Sequence, residues 1–483
     1  MDTTSTTPFT PCSKCAPLFA QQEAKLKQQD AKIQFLEERI AVLEGRSQQN
    51  SSNSSKPPSS DGYNKPAPKS LRSPSGRRSG GQNGHPGSTL KAVAKPDRVE
   101  VHPAQLCLGC HHPLKGQPRL GYEKRQVFDL PPDLKLLVTE HRAEIKFCPF
   151  CRRRATAPFP PEAQAPTQYG PGLMAWWTYL KNQQLIPLER ISQMTADLFR
   201  IQVSEATLQS VFQAAFSKLG VFEAQTTHLL QKAKLAHSDE TGFRVARSLH
   251  WLHNLSTRLL TWYGVHRKRG QKAIETFGIL KAFTGRLIHD CWSSYLALKN
   301  CLHGLCNAHI LRELTFIHEV QGQPWAEKMH SLLLEMHRFV LKRKQKVSRL
   351  RRSQILPWKR RYRRLLWEGW AANPPRPPSY SKRGRPKQTK ARNLLFRLQK
   401  YEDFVLAFLY DFRVPFTNNL SEQDLRMMKV QQKISGAFRT FHGAEVFARI
   451  RSYISTVRKH NRDVFQDLVR LFQNRPFIPR KAA

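Results

Sequence analysis

Between Lys234 and Asp290 the sequence alternates like a series of strands, and acids close two of the runs. Leu235-Ala236-His237-Ser238-Asp239-Glu240 is a short apolar run that ends in two carboxylates, followed by the turn-forming pair Thr241-Gly242. "FRVARSLHWLHNLST" and "RLLTWYGVH" alternate as two further strands, "GQKAIETFGILKAF" reads as a helix, and "GRLIHD" is a fourth strand closing on Asp290. The order β-β-β-α-β, with acids at the ends of the first and fourth strands, constrains this chain more than any other feature.

Such an order predicts a ribonuclease-H-like α/β core. Successive strand side chains point to opposite faces. His237 and Asp239 therefore share a face and Glu240 takes the other, which selects Asp239 as the metal-facing acid. A third acid comes from "NNLSEQDLRMMKVQQK", where Asn418-Asn419 is expected to cap a helix beginning near Leu420. Glu422, Arg426 and Lys429 then share one helical face, a carboxylate followed by a cation row suited to DNA phosphates. A solvated Glu–Arg helix is the plain alternative; the two strand-end acids favour the functional one. Asp239, Asp290 and Glu422 are expected to converge on Mg²⁺ or Mn²⁺. Hard cations prefer oxygen ligands, and a metal pair both activates the attacking oxygen and neutralises the leaving one.

Charge points to the partner. With 79 Lys+Arg against 36 Asp+Glu the net charge is +43, an excess that a nucleic acid would neutralise. No apolar run approaches the roughly 20 residues of a spanning helix, which argues against a membrane. "MDTTSTTPFT" has neither the basic flank nor the apolar core of a signal peptide. A cytoplasmic, nucleoid-associated protein is expected, and at 483 residues it should hold several folded units.

The cysteines suit a reducing compartment, since six of nine lie in C-x-x-C pairs. Cys107/Cys110 and Cys148/Cys151 form two knuckles that predict a tetrahedral zinc site. The gap between them exceeds the usual zinc-ribbon spacing, but a hairpin within "VFDLPPDLKLLVTEHRAEIKF" would absorb it; His111, His112 and His141 are substitute ligands. Cys12/Cys15 has no second pair beside it and stays unassigned.

Elsewhere the expected organisation is as follows. Residues 17–46 carry Phe19, Leu26, Ile33 and Ile40 every seven residues, with Leu36 and Leu43 on the same seam and Gln22 and Gln29 weakening its start. Self-association through a coiled coil and packing onto the protein's own body are both open readings. Residues 47–95 read as a disordered basic linker able to touch DNA through Arg72, Arg77 and Arg78. A zinc-binding domain is expected over 96–156. Over 157–232 a helical domain follows, with Ser204 capping the second helix of either a helix-turn-helix or a structural bundle. The catalytic core would occupy 233–300 and 416–475, split by a helical basic insertion at 301–415. Within that insertion, residues 341–365 hold 12 basic residues in 25 and no acid, a pattern that calls for a polyanion. Arg383 and Arg385 stand in "RGRP", which either lies in a narrow minor groove or is a plain basic linker.

The motifs "NSSNSSKPPSSDG", the two knuckles, "SDETGFRV", "HDCWSSY", "CNAHILREL" and "NNLSEQDLR", in this order, resemble the transposases of the insertion sequence 66 family over roughly residues 17–470. The resemblance implies a DDE transposase with Asp239, Asp290 and Glu422 as its metal-binding acids and a helical insertion before the third. It also implies cleavage at transposon ends, strand transfer into target DNA, and accessory proteins. The C-x-x-H pair Cys306/His309 matches an element seen between the second and third acids of several DDE families; two ligands alone suggest positioning of the insertion. A non-catalytic zinc-containing DNA-binding regulator and a nuclease without strand transfer are the rival functions. The combined expectation is a multidomain α+β chain: coiled coil, zinc-knuckle domain, helical domain, and an interrupted ribonuclease-H-like core.

Overall fold

The computed structural model describes residues 16–54, 90–131, 134–160, 162–375 and 388–480. Cys12, Cys15, Arg72, Arg77, Arg78, Arg383 and Arg385 lie outside the described residues. The chain divides into two compact units: Lys69–Pro158 with Gln193–Gln202, and the remainder.

The smaller unit carries β1 (Ile145–Phe147) and β2 (Arg154–Thr156), an antiparallel pair with Phe147 opposite Arg154. The hairpin therefore encloses the second knuckle instead of lying between the two knuckles as expected. Two short runs flanking a tight C-x-x-C turn pair locally at a low loop-closure cost.

The larger unit is built on a five-stranded mixed sheet: β3 (Leu235–Val245), β4 (Ser248–Ser256), β5 (Thr261–His266), β6 (Arg286–His289) and β7 (Leu302–Leu305) in the order β5-β4-β3-β6-β7. β3, β4 and β5 are antiparallel neighbours; β6 and β7 run parallel to β3. Two details differ from the sequence reading. The first strand does not stop at Glu240; it runs through Thr241-Gly242 to Val245, and the reversal falls at Ala246-Arg247. Gly242 lies opposite Trp251, and a Cβ there would come to 3.2 Å from Leu249 Cδ1, so the glycine serves close packing within the strand. Residues 302–305, expected in the helical insertion, form a fifth strand beside β6.

Edge strand β5 is covered by the Phe441–Lys459 helix, whose side chains take over its ladder: Tyr263 N–H donates to Ser452 Oγ at 2.9 Å and Thr261 N–H to Thr456 Oγ1 at 3.1 Å. Hydroxyls thus replace a sixth strand and satisfy the edge. On the other side, Ile288 and Leu305 join the apolar core of the insertion helices, with Trp325, Met329, Leu333, Tyr362, Leu395 and Phe408. Those helices include Asn307–Gln321, Pro324–Lys344, Arg352–Ala372 and Lys390–Lys400. The basic stretch 341–365 is accordingly not one helix but two helix ends and the loop between them.

Ser204 caps Glu205–Lys218 as read, its hydroxyl accepting from Thr207 N–H at 3.1 Å. That helix buries Leu208, Val211, Phe212 and Ala215 and packs against Phe441–Lys459 and Val464–Phe472, as part of a bundle. The N-terminal segment is one long helix, Ala16–Ser47, with Leu26, Ile33, Ile40 and Leu43 all exposed. Residues 48–54, expected without order, form a closed turn: Asn50 Oδ1 accepts from Ser52 and Asn53 N–H, and Asn53 and Ser54 are buried. Asn side chains that mimic backbone acceptors make such turns without apolar residues.

Candidate active site

Strand register brings the first two acids together. His237 on β3 pairs with Ile288 on β6, so two residues further along these parallel strands stand Asp239 and Asp290. Asp239 Oδ1 accepts from Glu240 N–H at 2.9 Å, and Asp290 Oδ1 from Trp292 N–H at 3.1 Å. The third acid arrives on the Asn419–Ser435 helix, which is pinned to the sheet at several points. Ser421 Oγ donates to Asn254 Oδ1 at 2.7 Å, and Asp424 accepts from Lys459 Nζ at 2.7 Å.

Asn418 makes no side-chain cap to this helix, contrary to expectation. Its amide nitrogen donates to the Ser238 carbonyl at 2.9 Å, which leaves its oxygen to accept from His237 Nδ1 at 2.8 Å. Its backbone N–H donates to Cys306 Sγ at 3.1 Å. One buried amide thus joins β3, the helix of Glu422 and the start of the Asn307–Gln321 helix.

The acids act on one another electrostatically. The Asp239 carboxyl is held well above its ordinary value, first by burial and then by Glu240 and Asp290, with Glu422 adding to the effect. Burial also raises Asp290, against the pull of the Trp292 N–H and the Arg269 guanidinium. Glu240 is raised by burial as well, opposed by hydrogen bonds from Tyr295 and Arg269. Strand alternation is seen directly: Ser238 and Glu240 both reach the Tyr295 hydroxyl, at 3.2 and 2.5 Å, while His237 turns toward Asn418. Glu240 also takes Arg269 Nε at 2.7 Å, and the guanidinium lies 2.9 Å over the Trp292 ring centre and 4.9 Å from that of Trp251. Arg269 escaped the sequence reading because it has no local motif, and Tyr295, though it closes "HDCWSSY", because its partner Glu240 lies 55 positions away. Arg397 escaped it too: it pairs with Glu313, hydrogen-bonds Cys291 and adds positive potential at Asp290.

Buried carboxylates that repel one another suit a hard divalent cation, which would supply the positive charge and oxygen affinity they call for. Glu422 has further company. Among the described residues, the His, Cys, Asp or Glu trio whose ligand atoms all lie within 4.8 Å of one another is Cys306, His309 and Glu422. Asp239 and Asp290 stand outside that trio. Of the expected DNA contacts on the same helix, Arg426 is exposed, and Lys429 Nζ donates to the Gly242 carbonyl at 2.7 Å, which turns it onto β3.

In the smaller unit the two knuckles repeat one geometry. Cys107 N–H donates to His112 O and His111 N–H to Cys107 O; Cys148 N–H donates to Arg153 O and Arg152 N–H to Cys148 O. His111 and Arg152 take the left-handed φ values of 60° and 54° that this turn requires. The thiols of Cys107 and Cys148 are held below their ordinary value, chiefly by the backbone N–H groups of Cys110 and Cys151. That is how a knuckle prepares a thiolate ligand. No three of the four sulfurs come within 4.8 Å of one another among the described residues.

The model of the Transposase IS66 family matches residues 166–446, more than half of the chain and all of the sheet and its three acids. The chain belongs to this family. Membership gives it a role in transposition and makes it an enzyme of a class that acts on DNA with a divalent metal. The N-terminal segment, residues 16–91, matches a family of unknown function (DUF6444). No curated protein matches the chain. Among the described residues, no helix is long and apolar enough to cross a membrane.

Proposed function

We propose that this transposase cleaves DNA at transposon ends and transfers the freed 3′-hydroxyl to target DNA, with Asp239, Asp290 and Glu422 holding Mg²⁺ or Mn²⁺ within a ribonuclease-H-like core. The observation that carries the reading is the register that sets Asp239 and Asp290 at equivalent positions on neighbouring parallel strands, with the pinned helix of Glu422 close enough to add its negative charge at Asp239. The bound metal would activate the attacking oxygen and neutralise the leaving one. The chain's own contribution is placement. Asn418, Ser421 and Asp424 fix the helix of Glu422, Trp292 N–H orients Asp290, and Glu240 with Arg269 sets the local potential.

DNA contact is assigned to Arg426, to Lys429 through its remaining N–H groups, to Arg383 and Arg385, and to a cleft of about 880 Å³ that Arg349, Arg351, Arg352 and Arg360 help to line. The four knuckle cysteines are assigned to zinc, and the exposed seam of Ala16–Ser47 to homo-oligomer formation. Accessory proteins and a cytoplasmic, nucleoid-associated location complete the proposal.

Asp239→Asn tests it: strand cleavage should vanish while binding to labelled terminal repeats persists. Cleavage that survives the substitution would make this a different enzyme or leave Asp239 outside its chemistry. A pre-cleaved 3′-hydroxyl substrate separates joining from plain nuclease action, and a chain that binds ends but never cuts would be a regulator.

A further inference from the structure

The first turn of the Asn307–Gln321 helix and the first turn of the Asn419–Ser435 helix meet at a point that the DDE reading leaves half explained. Cys306 Sγ, a His309 ring nitrogen and a Glu422 carboxylate oxygen lie within 4.8 Å of one another. Cations of the zinc class bind such atoms at about 2.0–2.3 Å, so small side-chain rotations would close the three around one ion. Two further observations point to a ligand. Glu422 Oε1 and His309 Nδ1 are both buried without a hydrogen-bond partner, an arrangement that folded proteins avoid unless something else satisfies the atoms. Cys306 is also held like a metal-ligating sulfur: its Sγ accepts the Asn418 N–H at 3.1 Å, and its own N–H is anchored to His289 O at 2.9 Å.

We propose that Cys306, His309 and Glu422 form a binding site for a soft divalent cation such as zinc, and that this cation withdraws Glu422 from the hard-cation site of Asp239 and Asp290. A thiolate and an imidazole select zinc over magnesium, whereas the two aspartates offer only oxygen. Glu422 is the one side chain common to both sets, so the two kinds of metal compete for it. The competition, unlike the site, rests on the function proposed above.

Cadmium NMR of the full-length chain tests the site, because the cadmium resonance moves downfield with each sulfur ligand and separates a one-sulfur site from the sulfur-rich knuckles. The expected result is a one-sulfur resonance in the wild type that Cys306→Ser abolishes and His309→Gln shifts or weakens by about tenfold in affinity or more. Thermal melts of both variants show whether each is folded, and His309→Gln keeps the sulfur should Cys306→Ser fail to fold. Absence of the resonance, or its persistence unchanged in a folded variant, overturns the site. The competition is read from cleavage: zinc should raise the magnesium concentration needed for half-maximal rate. Inhibition with no change in that requirement overturns the competition alone. A chain that cuts no DNA overturns the function proposed above, while the cadmium resonance still decides the site.

Discussion

Replacing Glu240 by Gln removes a negative charge from beside Asp239 and Asp290 while keeping the side chain's shape. The carboxylate is 2% exposed and holds two donors, Arg269 Nε at 2.7 Å and the Tyr295 hydroxyl at 2.5 Å. Removing one partner of a buried ion pair costs about 3–5 kcal/mol, because the other charge is left without its match. Arg269 is 35% exposed and rests on Trp292, so water and the ring recover part of the loss. The expected destabilisation is therefore near the lower end, about 3 kcal/mol. Urea unfolding of E240Q, R269M and the double variant measures it, with an expected coupling of about 1.5–3 kcal/mol, the range of a charge-assisted hydrogen bond. A coupling below about 0.5 kcal/mol, the size of ordinary non-additivity, would refute the pairing. The pH profile gives a second reading. A carboxyl raised in the folded state binds more protons there than in the unfolded chain. Stability therefore falls as pH rises from the ordinary aspartate value through the raised one. Glu240 is among the causes of that rise at Asp239, so E240Q should shorten the falling window.

Three more outcomes follow from the same framework. Lys459→Met leaves the Asp424 carboxylate, 11% exposed, with only the Thr261 and Ser455 hydroxyls at 3.3 Å, and should cost about 3 kcal/mol in urea unfolding, with Asp424→Leu on the same chain recovering most of it. Burial holds His253 down to about 4 and His289 down to about 3, so both stay neutral in the fold while the unfolded chain takes up protons below about 6.5. Stability should fall as pH drops through that window, by up to ~3 kcal/mol for His253, and His253→Gln should flatten the acid limb of a melting-temperature profile. Gly285→Ala would drive a methyl group into the Ala233 carbonyl oxygen and the Phe283 ring at the entry to β6; a loss of about 3 kcal/mol is expected in thermal unfolding, since backbone cannot move aside cheaply.

Local chemistry was legible in the sequence. Alternation marked the strands over Leu235–His266 and Arg286–His289, although Thr261–Val265 and Leu287–His289 prove to be buried on both faces, as strands covered by helices on either side are. Ser204 announced a helix start, and Cys107/Cys110 and Cys148/Cys151 their knuckles, since these hydrogen bonds close within a few residues. Alternation also set Glu240 on the face of Ser238, where both reach Tyr295, and His237 on the other. What the sequence left open involves groups distant along the chain. Gly242 looked like a turn residue until Trp251 was set against it, and the strand at Leu302–Leu305 was too short to show a period. Asn418 looked like a cap, but its amide is engaged by His237 and Ser238, 181 and 180 positions away. Glu240 seemed idle until Arg269 and Tyr295 closed on it. Cys306 and His309 carried a spacing, but only the packing of two helices brought Glu422 to them. Periodicity and capping arise from forces acting within a turn of chain; which side chains share a buried point is set by register and helix packing, and that the tertiary structure alone decides.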